Sequence, residues 1–240
     1  GITEISGESG TGKTQICLQL CIMVQYPEEI GGLNAGAVYI CTEDVFPSKR
    51  LQQLFQTFPV AFAKRYRLKT SFTTQFADNI YIEHASDAES LVKIICNDVP
   101  RLMANKKIGL VVIDSIAAVF RIECVSPKRS NMMRSIALTL HKLAKSYESA
   151  IICVNQVSSN IYNNSLVPCL GLSWANLVTT KIQLHYDFGS KQFPNEGQKS
   201  SRIFRVASAP HLPPNSISYE VTEAGISGGI DPTNIGITVY

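Results

Sequence analysis

The chain has 240 residues, a formal net charge of +3, an apolar fraction of 45% and a charged fraction of 17%. This composition excludes a disordered chain, and the length suits one large α/β domain with a substantial core. No apolar run approaches the roughly twenty residues that span a bilayer, so the sequence predicts no transmembrane helix. The seven cysteines include no C-x-x-C pair, and we expect reduced core thiols rather than metal ligands.

Residues 7–14 read Gly-Glu-Ser-Gly-Thr-Gly-Lys-Thr, a complete P-loop of the form G-x-x-x-x-G-K-[ST]. They lie between a strand pattern, Ile2–Ile5, and a helical pattern, Gln15–Val24, which is the context that this motif requires. The glycines let successive N–H groups point at a phosphate chain, and the helix adds its positive N-terminal end. We expect Lys13 to reach the β- and γ-phosphates and the Thr14 hydroxyl to hold Mg²⁺. The predicted phosphate-binding loop thus comprises Gly7, Glu8, Ser9, Gly10, Thr11, Gly12, Lys13 and Thr14.

Strand and helix patterns alternate along the rest of the chain. After the P-loop, the predicted elements in chain order are the strand Ala37–Cys41, the helix Pro47–Phe55, the strand Ile80–Glu83, the helix Ser86–Met103, the strand Leu110–Ile113, the helix Pro127–Ser146 and the strand Ala150–Val154. Because continuous apolar strands alternate with amphipathic helices, we predict an α/β fold with a mostly parallel sheet covered on both faces.

The last third of the chain changes character. Ser158–Ser173 is a long irregular stretch without charged residues, and no helical pattern follows it. We expect an antiparallel extension at one edge of the sheet, formed by the strands Lys181–Phe188, Arg202–Ala207 and Ser216–Val221. Because no linker divides the chain, we expect one domain over residues 1–240.

Polar residues follow three of the apolar strands. Asp114 follows a buried strand and suits the second protein ligand of Mg²⁺, although many core strands also end in aspartate. Glu43 could orient and deprotonate an attacking water, but it could equally be a solvated loop acid, and Asp44 competes for the role. Gln156 either senses the γ-phosphate through a hydrogen bond or caps its loop.

Several further residues keep two interpretations each. Arg50 could stack on a base or lie on a solvated helix face. Trp174 could stack on a base, or pack in the core beside neighbouring leucines. The densest basic cluster either contacts the phosphates of single-stranded nucleic acid or forms an ordinary solvated helix face. The members of this cluster are Arg121, Lys128, Arg129 and Arg134.

Four segments follow one another in the order and spacing of the RecA-type recombinase core. These segments are Gly7–Gln15, Tyr39–Glu43, Val112–Ser115 and Asn155–Val157. Over essentially its whole length the chain resembles the eukaryotic recombinase paralogues. The resemblance implies a RecA-like P-loop ATPase that uses ATP and Mg²⁺. It also implies a nuclear protein, with a cytoplasmic pool, acting in homologous recombination and DNA repair. The implied partners are another paralogue in a hetero-oligomer, the recombinase itself, and single-stranded or junction DNA.

The resemblance also implies roles for individual residues. Gln15 joins the nucleotide site, Arg50 stacks on adenine, and Glu43 is the catalytic glutamate. Lys13, Thr14 and Asp114 match the family's phosphate- and Mg²⁺-binding residues. Gln156 matches the γ-phosphate sensor that opens the second DNA-binding loop. The segment Ser208–Pro214, with Ser208, Pro210 and Pro213, matches the part that caps the nucleotide of a neighbouring subunit.

Four departures from the family pattern qualify these roles. Asp44 replaces the glycine that usually follows the catalytic glutamate, so we expect water positioning to differ. The stretch Ser158–Thr180 contains no lysine or arginine, which argues against DNA contact through that loop. Ser208 stands where recombinases carry an acid, which argues against a self-polymerising filament. The family's N-terminal domain and linker motif have no counterpart here, so we expect a fragment of a longer protein.

Three functions remain in competition at the level of sequence. The first is a recombination mediator that binds ATP and hydrolyses it slowly. The second is an interaction subunit in which a bound nucleotide acts as a structural clamp. The third is a small-molecule kinase, which P-loop proteins also include, but the sequence shows no arginine-bearing lid for it.

Overall fold

A computed structural model of the chain describes residues 1–43, 45–68, 75–121, 127–159, 166–187 and 201–228. The strands within these ranges are β1 (Ile2–Gly7), β2 (Gly36–Cys41), β3 (Ile80–His84), β4 (Ile108–Asp114), β5 (Ala150–Ser159), β6 (Leu166–Pro168), β7 (Thr180–Tyr186), β8 (Arg202–Ser208), β9 (Asn215–Thr222) and β10 (Gly225–Gly228). The α-helices are α1 (Lys13–Met23), α2 (Ser48–Arg65), α3 (Ala88–Lys93), α4 (Val99–Asn105), α5 (Ile116–Arg121), α6 (Pro127–Ser146) and α7 (Gly171–Ala175). A π-helical turn, Ile94–Asp98, joins α3 to α4.

Nine of these strands form one path through the sheet, in the order β10-β9-β8-β7-β1-β5-β4-β2-β3, while β6 pairs with β5. Pairing is parallel from β7 through β1, β5, β4 and β2 to β3, and antiparallel from β7 through β8 and β9 to β10. The predicted fold class is therefore confirmed. One detail of the prediction is wrong, because β7 lies parallel to β1 and the antiparallel extension begins only between β7 and β8.

Two hydrophobic cores cover the two faces of the sheet. Side chains of successive strand residues point to opposite faces, so Val111 and Ile113 pack with α3 and α6, while Leu110 and Val112 pack with α1 and α2. The second core also includes Tyr219 of β9. The C-terminal strands thus share a core with the helix that follows the P-loop.

Some predicted element boundaries are wrong. The helix predicted to end at Phe55 runs on to Arg65 through Pro59, because a buried stripe that includes Phe58 and Phe62 continues its apolar face. The strand predicted to end at Val154 continues to Ser159 as β5 and pairs with β6. The predicted irregular stretch Ser158–Ser173 therefore contains part of a hairpin and the start of α7, while residues 160–165 lie outside the described ranges.

None of the helices within the described ranges is long and apolar enough to cross a membrane.

Candidate nucleotide-binding site

The carboxyl ends of the central parallel strands meet at one edge of the sheet. Gly7, at the end of β1, lies opposite Gln156 of β5, and Asp114, at the end of β4, lies opposite Cys41 of β2. Glu43 follows β2 by two residues. Strand pairing therefore brings residues more than a hundred positions apart around one depression in the surface.

A cavity of about 450 Å³ occupies this edge. It is lined by Gly7, Ser9, Gly10, Gly12, Lys13, Thr14, Gln15, Glu43, Asp114, Ser115, Val154, Gln156, Val157, Arg202 and Val221. Of the residues predicted to bind the nucleotide, Glu8 and Thr11 are not in the lining, and the Thr11 hydroxyl donates to the Glu8 carbonyl at 2.8 Å. Arg50 also lies outside the lining. The other predicted P-loop residues surround one space large enough for a phosphate chain.

The glycines of the P-loop are required by backbone geometry. Gly10 and Gly12 have φ angles of 76° and 101°, which L side chains adopt only with strain. At Gly7 an added Cβ would lie 2.5 Å from the carbonyl oxygen of Leu184, so even a methyl group would collide with β7. Glycine is therefore required both by the backbone angles within the loop and by the close approach of β7.

The Lys13 side chain folds back over the loop. Its Nζ donates hydrogen bonds to the carbonyl oxygens of Gly7 and Glu8, each at 2.7 Å. Burial lowers the pKa of Lys13, while the charges of Asp114 and Glu43 oppose that shift. The lysine is therefore held above the loop, in the position from which a cation can contact bound phosphates.

Side chains from the C-terminal strands hold the outer part of the loop. The hydroxyl of Tyr186 donates to the Ser9 carbonyl at 3.0 Å, and the hydroxyl of Tyr219 donates to the Thr11 carbonyl at 2.5 Å. Between these two contacts, Arg202 Nε donates to the Gly10 carbonyl at 3.3 Å. The sequence analysis missed all three donors. They lie 177 to 208 residues from their acceptors, so no local pattern points to them.

Asp114 lies beside Thr14 at the inner end of the cavity. Its Oδ2 accepts hydrogen bonds from the Thr14 hydroxyl at 2.7 Å and from the Tyr39 hydroxyl at 2.6 Å. Burial, followed by the charge of Asp114, raises the pKa of Tyr39 well above its usual value, so Tyr39 stays protonated and remains a donor. Tyr39 was not among the predicted site residues, although it lies two positions before the end of β2 and faces the same core as α1. A hydroxyl and a carboxylate in contact are the hard oxygen donors that Mg²⁺ prefers.

The structure also brings Glu43 and Gln156 together. Gln156 Nε2 donates a hydrogen bond to Glu43 Oε1, although β4 separates their two strands in the sheet. Thr42 ties the end of β2 to the residue that follows β4, because its hydroxyl donates to the Ser115 carbonyl at 2.6 Å and accepts from the Ser115 N–H at 2.9 Å. Asp44, the predicted competitor of Glu43, lies outside the described residues. The contact pairs the predicted base with the predicted phosphate sensor, and both roles stay predictions.

Behind the cavity lies a buried carboxylate that the sequence analysis did not consider. Glu4 of β1 is 2% exposed and accepts a hydrogen bond at 2.7 Å from Nδ2 of Asn155, the neighbour of Gln156. Burial raises the pKa of Glu4, against the opposing influence of Asn155, Lys181 and Trp174. Trp174 itself is fully buried, which confirms the interpretation of a core tryptophan.

Arg50 connects α2 to two other elements. Its guanidinium donates to Gln15 Oε1 at 2.7 Å, to the Thr222 carbonyl at 2.6 Å and to the Glu223 carbonyl at 2.9 Å. These contacts join the start of α1, the start of α2 and the turn after β9. Stacking of Arg50 on adenine remains a prediction, and it would require the side chain to leave at least part of this arrangement.

The remaining predicted residues lie away from the cavity lining. Lys128 forms an exposed ion pair of 2.8 Å with Glu89, Arg129 is half-buried and Arg134 is exposed, all near the start of α6. The side chain of Arg121 lies outside the described part of the structure. Ser208 ends β8, and Pro210 and Pro213 lie in the segment between β8 and β9. The DNA-binding and interface roles of these residues stay predictions.

Taken together, the fold and the cavity define a RecA-like P-loop domain, a class whose members bind nucleotides. Residues 1–229 match the Rad51 family. The chain is 39% identical over 246 residues to the DNA repair protein XRCC3 of Bos taurus, an alignment that covers 95% of this chain and 69% of that protein. It is 34% identical over 263 residues to the DNA repair protein rhp57 of Schizosaccharomyces pombe, covering 94% of this chain and 73% of that protein. The chain therefore belongs to the Rad51 family.

Proposed function

We propose that this protein is an ATP-binding recombination mediator that hydrolyses ATP slowly and acts in homologous-recombination DNA repair. The observation that carries the proposal is the contact of Thr14 with Asp114 beneath the P-loop, with Lys13 above it. This arrangement supplies a cation for the phosphates and two adjacent oxygen ligands for a divalent ion. When bound, Mg²⁺ would neutralise charge that develops on the phosphates.

The proposed chemistry depends on the pair formed by Glu43 and Gln156. In the proposed reaction Glu43 orients a water molecule for attack on the terminal phosphorus and takes up its proton, while the bond from that phosphorus to the bridging oxygen breaks and ADP leaves. The hydrogen bond from Gln156 keeps the Glu43 carboxylate in one orientation at the edge of the cavity. A γ-phosphate that bound the Gln156 amide would release Glu43 from this contact, so nucleotide binding would activate the base.

The proposed setting follows from the relatives, two of which carry the name DNA repair protein. We place this protein in the nucleus, in a hetero-oligomer with another recombinase paralogue that assists the recombinase on single-stranded or junction DNA.

One continuous sheet links the described residues from β1 to β10, which supports a single domain over residues 1–240. Arg121, Lys128, Arg129 and Arg134 are the proposed DNA contacts, and Ser208, Pro210 and Pro213 the proposed interface cap.

A second candidate function is an interaction subunit that uses the nucleotide only as a clamp. It is favoured by the hydrogen bond between Gln156 and Glu43, because a base held in this contact is not poised to accept a proton from water. The absence of lysine and arginine between Ser158 and Thr180 favours the same function, because DNA contact through that segment would lack cations.

ATP turnover separates the two functions. It should be measured with and without single-stranded DNA, on this chain alone and with a co-expressed paralogue, and Glu43→Gln is the matched variant. We expect DNA to stimulate turnover, and we expect Glu43→Gln to abolish turnover without weakening ATP binding. Tight ATP binding without Glu43-dependent turnover would contradict the mediator ATPase and support the clamp.

A further inference from the structure

Arg202 is a second cation in the wall of the cavity, and no predicted role accounts for it. It is the first residue of β8, yet it lines the cavity with Lys13. The charged residues of the lining are Lys13, Arg202, Glu43 and Asp114, so their formal charges cancel. Without Arg202 the lining would carry one net negative charge, which would oppose the entry of a polyphosphate.

The neighbours of Arg202 hold it at the outer part of the P-loop. Its guanidinium carbon lies 5.6 Å from the centroid of the Tyr186 ring, within the range of a cation–π contact. Tyr186 is in turn anchored by the hydrogen bond from its hydroxyl to the Ser9 carbonyl. The aromatic ring thus supports the guanidinium from one side and fixes its distance from the loop.

The contact between Arg202 and the P-loop is weak enough to be exchanged. The distance of 3.3 Å between Nε and the Gly10 carbonyl is longer than the usual N–H···O range, and the acceptor is neutral. A phosphate oxygen carries charge, and its geometry matches the planar fork of the guanidinium. A bound phosphate would therefore compete well for this side chain.

We propose that Arg202 is a phosphate-binding residue whose guanidinium contacts the terminal phosphate of a bound nucleoside triphosphate. This inference rests on the proposed nucleotide binding and assigns a further ligand within that site. The start of α1 would bind the inner phosphates, because its N–H groups and its dipole favour an anion there. Ser9 and Gly10 lie in the part of the loop that precedes α1 and is separated from it by further loop residues. A cation beside them would therefore face the outer end of a bound phosphate chain.

The same strand provides a matched control. Arg205 of β8 is exposed and does not line the cavity. Both arginines carry one positive charge, so substituting either with glutamine changes the net charge of the protein equally. A difference between the two variants therefore reports the position of the charge rather than its loss.

The experiment compares the affinities of wild type, Arg202→Gln and Arg205→Gln for ATP and for ADP, each with Mg²⁺. Because a charge-assisted hydrogen bond is lost, we expect Arg202→Gln to weaken ATP binding roughly 10- to 100-fold. ADP affinity should change by less than about 3-fold, and Arg205→Gln should match wild type for both nucleotides. Equal losses for ATP and ADP, or unchanged ATP affinity in Arg202→Gln, would overturn the proposal.

Two additional measurements keep the result interpretable. Thermal unfolding without nucleotide shows whether Arg202→Gln is folded, and Arg202→Lys, which keeps the charge without the fork, provides a second variant. We expect Arg202→Lys to show a smaller loss that is again confined to ATP, and ATP affinity equal to wild type in both folded variants would overturn the proposal. Wild type that fails to bind ATP would contradict the proposed function as well. ATP binding that depends on Lys13 but not on Arg202 would contradict this inference alone.

Discussion

The two halves of the sheet serve the P-loop in different ways. In the parallel half, Gly7 and Asp114 end β1 and β4, and Gln156 of β5 lies opposite Gly7, so the groups proposed for chemistry lie along one edge of the sheet. The C-terminal half contributes instead through side chains of β7, β8 and β9, which bond to the loop carbonyls of residues 9–11. One half contains the groups proposed for chemistry, and the other holds the P-loop through hydrogen bonds to its carbonyl groups.

The largest effect is expected in the parallel half, from Lys13→Ala. The substitution removes the cation above the loop, and we expect ATP affinity to fall by about 100-fold or more. Equilibrium binding of ATP measures the loss. Lys128→Ala, which removes a cation from an exposed ion pair, is the control and should leave ATP affinity unchanged. Unchanged affinity in Lys13→Ala would contradict the assignment of the cavity as a nucleotide site.

The next effect is expected where the two halves meet, from Gly7→Ala. The new methyl group would collide with the Leu184 carbonyl of β7, so the strands must separate slightly. We expect the free energy of unfolding to fall by about 1–3 kcal/mol, as for other overpacked sites. Urea denaturation measures it, and Gly228→Ala is the control, because an added Cβ there meets nothing within 4 Å. Equal stability of the two variants would show that β7 does not constrain Gly7.

Within the C-terminal half we expect Tyr219→Phe to cost more than Tyr186→Phe. Tyr219 is 3% exposed, so removing its hydroxyl leaves the Thr11 carbonyl without that donor in a buried environment, at a cost of about 1–2 kcal/mol. Tyr186 is half-buried, and water can replace its hydroxyl, so we expect less than about 0.5 kcal/mol there. Urea denaturation of both variants tests the order. A larger loss of stability in Tyr186→Phe than in Tyr219→Phe would contradict this prediction, and would mean that the contact with Ser9 supports the loop more than the contact with Thr11.

The last effect depends on pH and is expected behind the cavity, from Glu4→Gln. Because burial raises the pKa of Glu4 above its ordinary 4.5, its contribution to stability is fully present below pH 4.5 and is lost as pH rises through the folded-state pKa. Relative to wild type, the free energy of unfolding of Glu4→Gln should therefore increase with pH across this window. Denaturation at several pH values measures the difference. A difference that does not change with pH would contradict a raised pKa.

The sequence predicted much of the parallel half because its signals are local. The P-loop motif can be recognised from eight consecutive residues. Strand and helix patterns, and the polar residues that follow the strands, can likewise be recognised from residues a few positions apart. The helix Pro127–Ser146 was predicted with the bounds that the structure shows. Where a prediction was wrong, as at Phe55, burial against another element extended the helix beyond its local pattern.

The sequence by itself determined the class of fold, the P-loop motif and the family, since each depends on residue types in short, ordered segments. The tertiary structure alone decided which distant groups meet. It placed β7 parallel to β1, brought Tyr186, Arg202 and Tyr219 onto the loop, and joined Glu43 to Gln156 across an intervening strand. The physical reason is that strand order follows from burying both faces of the whole sheet. That arrangement depends on the packing of all the elements at once, and no single segment encodes it.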